Sequence, residues 1–250
     1  MAAALNRGIA LARSQVIARM DADDLSHPDR LQKQLAFLDK HPRVAALGSW
    51  ARVIDERGRG TGEMRPATEP HVLHDILEKK NPFIHSSMMM TAEIVRGLGG
   101  YRPALEGAED YDLWLRISER AQLANMPELL IDYRRHSASA SGSASNKQLL
   151  AARLSRISAA ARRTSRTDLV DKLDAPISIQ ALQEHEELKT TAFLYAGLSQ
   201  PPNKTIDARD LRRLVFAAVD HAERKAVQLW LVNLLKSKNR SFLINLNLKL

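Results

Sequence analysis

Apolar positions recur with two different periods over the first 136 residues, and each switch of period predicts an element. Asn6 to Ser14 has helical spacing, and the apolar run Val16-Ile17-Ala18-Arg19-Met20 after it reads as a strand. A second helix opens at Ser26-x-x-Asp29, a capping-box pattern with Pro28 in its first turn, and places Leu31, Leu35 and Leu38 on one face. Arg43 to Ile54 is strand-like and closes on the turn Asp55-Glu56-Arg57-Gly58. His71 to Lys79 is predicted helical, Ile84 to Met90 a buried strand, and Thr91 the cap of a short helix ending at Gly97. Glu109 to Arg120 is amphipathic, with Leu113, Trp114 and Ile117 inward, and Leu129 to Tyr133 is a last short strand. Alternation of this kind predicts an α/β domain.

The character then changes. Ser137 to Asn146 is small, polar and of low complexity, which suits a linker. Beyond it only helical periods remain, over Lys147–Leu173, Ile179–Ala196, Asp207–His221 and Glu223–Ser237, broken at Pro176 and Pro201-Pro202. The expected organisation is an α/β domain over residues 1–140 and a helical region over 141–250.

Charge follows the same division. Residues 1–146 carry 19 Lys+Arg and 19 Asp+Glu, whereas residues 147–250 carry 18 and 10, so the whole net charge of +8 lies in the helical part. A basic helical region suits an anionic neighbour such as lipid headgroups, and it equally suits a solvated Arg-rich surface. It has no aromatic interleaving and no recognisable motif that would point to nucleic acid. The chain has no cysteine, which excludes disulfides and thiolate metal sites. No apolar stretch approaches the roughly 20 residues of a membrane span, and the N-terminus lacks a secretory layout. The expected location is the cytoplasm, with peripheral contact at the inner face of the membrane through the basic region.

Three segments carry candidate chemistry. Asp21-Ala22-Asp23-Asp24 packs three carboxylates into a turn at the carboxyl end of a strand, where open α/β sheets place ligand sites. Such crowding costs mutual repulsion, and a divalent hard cation, which takes oxygen ligands and substrate phosphates, is the commonest way to offset it. The plain alternative is a solvated acidic turn. Glu109 and Asp110 open a helix, where the dipole favours carboxylates and where they are also candidates for acid–base work. Asp112 is spaced as an i,i+4 ion pair with Arg116 and reads as structural. The third segment is Tyr133-Arg134-Arg135-His136 at a strand end.

In order and spacing these segments resemble the family-two glycosyltransferases of the GT-A fold. The resemblance rests on Leu5-Asn6-Arg7-Gly8-Ile9-Ala10, Ile17 to Asp24, Pro28-Asp29-Arg30-Leu31-x-x-Gln34 and His41-Pro42. It continues through Asn81-Pro82-Phe83-Ile84-His85-Ser86-Ser87, Gly99-Gly100-Tyr101-Arg102, Glu109 to Arg116 and Tyr133-Arg134-x-His136. It implies a partial GT-A domain, Rossmann-like with a mixed sheet, and transfer of a sugar from a nucleotide-sugar to a glycan or lipid-linked acceptor. Asp21 and Asp23 match the D-x-D that holds Mn²⁺ or Mg²⁺ and the donor diphosphate. Gly99 and Gly100 match a glycine loop near the donor sugar. Asp110 matches the catalytic base with Glu109 beside it, and His136 matches a histidine that reaches the metal or diphosphate. One base and one metal imply a single displacement with inversion at the anomeric carbon.

The family pattern also has upstream strands that bind the nucleoside, and they have no counterpart before Asn6. This polypeptide alone is therefore expected to bind nucleotide-sugar weakly or not at all. The competing expectation is a non-catalytic remnant that acts as a membrane-surface or protein-interaction module.

Overall fold

The computed structural model of the protein describes residues 1–135, 145–173, 177–199, 217–218 and 221–236. The N-terminal part is a mixed sheet with helices against it. Strand β1 (Val16–Ala18) lies at one edge, followed in space by β5 (Met89–Thr91), β3 (Val44–Ile54), β6 (Gln122–Arg134) and β2 (Leu25–Ser26). Strand β4 (Gly60–Met64) pairs with β3 as a hairpin. The pair β3–β6 is parallel and all other pairs are antiparallel. The α/β class with a mixed sheet and a helical C-terminal region is the expected one.

Helices α1 (Ala2–Leu11), α2 (Arg30–Lys40), α3 (Pro70–Leu77), α4 (Ala92–Gly97) and α5 (Glu109–Ser118) complete this part. Several local expectations are corrected. Strand β6 begins seven residues before Leu129, because its ladder with β3 skips from Met126 to Leu129 and sets Pro127 and Glu128 in an irregularity. Proline cannot donate to a ladder, so a break in the pattern there marks a bulge and not a strand end. Ile84–Met90 is not one strand: His85–Ser87 forms a 3₁₀ turn before β5. The capping box at Ser26 does not form; Asp29 is the N-cap without a side-chain cap bond, and it pairs instead with Lys33 at 2.6 Å.

The largest surprise is α2. Leu31 and Leu35 are 50% and 42% exposed, while Arg30 and Gln34 are buried. Gln34 donates to the Leu47 and Ser87 carbonyls at 3.1 and 2.8 Å, and Arg30 donates to the Arg19 and Met88 carbonyls at 2.9 and 3.3 Å. Carbonyls around the 3₁₀ turn and the short strands thus accept hydrogen bonds from α2 side chains.

The helical region is not detached. Helix α6 (Asn146–Arg163) starts on a complete capping box, Ser145 with Gln148, and packs on α5. One apolar core runs from Met88, Met90 and Trp114 through Leu154 and Ala159 to Leu182 and Ala192. A second cluster joins α6 to α8 (Lys189–Leu198) and α9 (His221–Lys236), with Tyr195, Val227 and Trp230 inside. The short helix α7 (Ile179–Gln183) lies between. Arg102 ties the two parts together, reaching Asp168 at 2.8 Å, Ser158 at 3.1 Å and Asp112 at 3.6 Å. Most of the expected linker and the expected helix over 207–221 fall outside the described residues.

Candidate active site

At the end of β1 the chain turns through Asp21–Asp24, and the charge that offsets the carboxylates is an arginine. Arg19 is 7% exposed; its Nη1 donates to Asp21 Oδ2 at 2.6 Å and its Nη2 pairs with Oδ1, a bidentate grip. The fully buried Ser86 donates to Asp21 Oδ2 at 2.8 Å and accepts from Arg19 Nη1 at 3.0 Å and from the Asp21 N–H at 3.2 Å. Burial pushes the Asp21 carboxyl up, but the bonds from Arg19 and Ser86 and the charge of Arg19 outweigh it and hold the group below the ordinary aspartate value.

Asp24 is enclosed. Its Oδ1 accepts from the Arg134 N–H at 2.7 Å, while Oδ2 is buried without a hydrogen bond. Burial raises its carboxyl despite Ser86 and the Arg134 N–H. Asp23 is exposed, and its carbonyl accepts from Arg134 Nε at 2.8 Å. Arg134 of β6 therefore clamps the turn from below.

The second group opens α5. Glu109 is buried and its Oε2 accepts from the Gly107 N–H at 2.5 Å, which turns it back into the loop. Asp110 is partly exposed. Its Oδ1 accepts from the Tyr111 N–H at 2.7 Å and its Oδ2 from Asn81 Nδ2 at 2.7 Å. Burial dominates and raises the Asp110 carboxyl, only partly opposed by the Tyr111 N–H, Asn81 and the charge of Arg19. Asp112 is fully buried and pairs with Arg116 at 2.8 Å, the structural role its spacing indicates.

The glycine loop is held between these groups. Gly99 and Gly100 both adopt left-handed backbone, at φ +76° and +70°. Asn6 of α1 brackets the following residue, donating to the Tyr101 carbonyl at 2.7 Å and accepting its N–H at 2.8 Å. A Cβ at Gly100 would run into that Asn6 oxygen. Arg116 donates to the Leu98 and Gly100 carbonyls at 2.8 and 2.7 Å, so the loop is tied to α5. The Tyr101 hydroxyl is 2.9 Å from His85 Nε2, and burial pulls the His85 ring down to about 3, which keeps it neutral.

The electrostatics join the two carboxylate groups. Arg19, Asp21, Glu109 and Asp110 all act on the Tyr101 phenol, and Arg19 acts on both Asp21 and Asp110. Asp21 and Asp110 thus both lie within electrostatic reach of Arg19 and of Tyr101, the residue after the glycine loop. His136 lies outside the described residues. Among the described residues no group of three His, Cys, Asp or Glu side chains converges to hold a metal ion. The oxygen-only donors of the turn nevertheless fit a hard cation that takes one or two carboxylates and completes its shell from a diphosphate.

Sequence patterns missed the residues that position the carboxylates: Arg19, Asn81, Ser86 and Arg134. Asn81, Ser86 and Arg134 stand in segments that the resemblance covers, but periodicity gives no sign of contacts across 29 to 110 positions.

Residues 1–96 match the profile of the family described as Glycosyl transferase family 2. The chain is 43% identical over 122 residues to EpsE of Bacillus subtilis (strain 168), covering 48% of this chain and 42% of that one. It is 35% identical over 132 residues to the amylovoran biosynthesis glycosyltransferase AmsE of Erwinia amylovora, covering 52% and 49%. With the O-antigen biosynthesis glycosyltransferase WbnJ of Escherichia coli the identity is 34% over 144 residues, 56% of each chain. The chain thus spans about half the length of the curated relatives it matches. Asp21 and Asp23 lie inside the family match, whereas Glu109 and Asp110 lie beyond it.

Proposed function

We propose that the chain, whose residues 1–96 match the profile of glycosyl transferase family 2, transfers a sugar from a nucleotide-sugar to a glycan or lipid-linked acceptor. The observation that carries this reading is the contrast between its two carboxylates. Asp21 is held ionised by Arg19 and Ser86, whereas Asp110 is partly exposed with a raised proton affinity. A carboxylate whose proton affinity is raised accepts a proton more readily than an ordinary aspartate. Glu109 is committed to the Gly107 N–H, so Asp110 takes the role of base.

In the proposed step the acceptor hydroxyl oxygen attacks the anomeric carbon while its proton passes to Asp110. The bond from that carbon to the diphosphate oxygen breaks, and the electron pair leaves with the nucleoside diphosphate. Attack opposite the leaving group inverts the anomeric centre. Asp21, Asp23 and His136 would hold Mn²⁺ or Mg²⁺, which when bound neutralises charge on the departing diphosphate. Gly99 and Gly100 present backbone without side chains beside the donor sugar. The basic helical region would rest on anionic headgroups at the inner face of the membrane; no helix among the described residues is long and apolar enough to cross it.

Asp110→Asn tests the proposal. Transfer by the variant is expected to fall by about 10²–10⁴-fold with nucleotide-sugar binding intact. Full activity in the variant would refute the role of Asp110. Absence of transfer in the parent chain, across several nucleotide-sugars with Mn²⁺, would favour a non-catalytic interaction module.

A further inference from the structure

The stretch Asn81–Ser87 between α3 and β5 touches both carboxylates: Ser86 bonds Asp21, and Asn81 bonds Asp110. We infer that Asn81 is a positioning residue for Asp110, its side-chain amide setting the direction in which the carboxylate faces. This rests on the reading of Asp110 as the base.

The orientation of the amide follows from its partners. Asn81 Oδ1 accepts from the Phe83 N–H at 3.0 Å, and a backbone N–H can only donate. The oxygen end of the amide is therefore fixed toward Phe83, and the NH₂ end must face Asp110 Oδ2. Pro82 helps by disfavouring helical backbone at the residue before it. The carboxylate is then gripped at both oxygens, by Tyr111 N–H from its own helix and by Asn81 from another segment. Its remaining lone pairs are left for a hydroxyl. The other charged or titratable groups acting around it are Arg19 beyond β1, Tyr101 after the glycine loop and Glu109 on α5. None of these replaces a donor on Oδ2.

Two variants separate positioning from folding. Asn81→Asp keeps the acceptor for the Phe83 N–H and the size of the side chain, but replaces the donor to Asp110 with a like charge. Asn81→Ala removes both bonds. For both, the acid limb of the pH profile of kcat/KM is expected to move up by about one pH unit. KM for the nucleotide-sugar should stay unchanged. An acid limb that coincides with the parent's in Asn81→Asp overturns the inference.

A second readout needs no turnover. The Asp110 carboxyl carbon, assigned by its loss in Asp110→Asn, is titrated by ¹³C NMR in the full chain without substrate. Its midpoint should rise in both Asn81 variants, and an unmoved midpoint overturns the inference. If the parent transfers no sugar, the reading of Asp110 as base falls, and this titration alone decides whether Asn81 controls the carboxylate.

Discussion

The acidic turn at Asp21–Asp24 and the start of α5 at Glu109–Asp112 use the same residue type for opposite ends. In the turn, an aspartate has a charged partner: Arg19 grips it from one side, and the neutral Ser86 hydroxyl bonds it from another. Its carboxyl is held below the ordinary value. At α5 the partners of Asp110 are neutral, a backbone N–H and an amide, and burial keeps its proton affinity high. Clusters of carboxylates are therefore not read by their number. What distinguishes a carboxylate held ionised from one with raised proton affinity is whether the donors around it are charged.

The contrast can be broken from either side. The largest effect on stability is expected at Asp112, the α5 carboxylate that does have a charged partner. Asp112→Ala leaves Arg116 buried and unpaired, and should cost about 3–5 kcal/mol of unfolding free energy in urea denaturation. A loss under about 1 kcal/mol would show that Arg116 is held by the Leu98 and Gly100 carbonyls alone. Next comes Ser86→Ala, which removes the hydroxyl that links Arg19 to Asp21. It should cost about 1–3 kcal/mol by the same measurement, because buried donors and an acceptor lose their partner together. An unchanged stability would mean that the bidentate pair holds Asp21 without help.

Much of this arrangement was legible in the sequence, and the parts that were not share a cause. Strand β3, helix α3 and helix α5 follow their apolar periods closely, with Leu113, Trp114 and Ile117 fully buried as their spacing requires. Helix α2 shows where that logic fails. Leucine at i, i+4 and i+7 suggested a buried face, yet the structure buries Arg30 and Gln34, whose side chains donate to the Arg19, Met88, Leu47 and Ser87 carbonyls. The same holds at the site. The crowding of Asp21, Asp23 and Asp24 pointed to a divalent cation and gave no sign of Arg19, which grips Asp21 from two residues away. The amide that faces Asp110 comes from 29 positions upstream, where only the fold brings it near. Local periodicity reports burial of apolar surface; it does not report which buried polar group needs a partner.

The opposite environments of Asp21 and Asp110 are tested most directly by unfolding free energy as a function of pH in Asp21→Asn and Asp110→Asn. Asp21 is bound less tightly by protons in the folded state, so it contributes stability above the ordinary value of 3.8 that is lost as pH falls through its folded value. Asp110 binds its proton more tightly when folded, so its ionisation subtracts stability as pH rises from 3.8 through its higher folded value. The predicted result is that Asp21→Asn is less stable than the parent at pH 7 and draws level with it in acid. Asp110→Asn should instead gain on the parent between acid and pH 7. If both substitutions shift stability with pH in the same direction, the division of labour between the two carboxylates is contradicted.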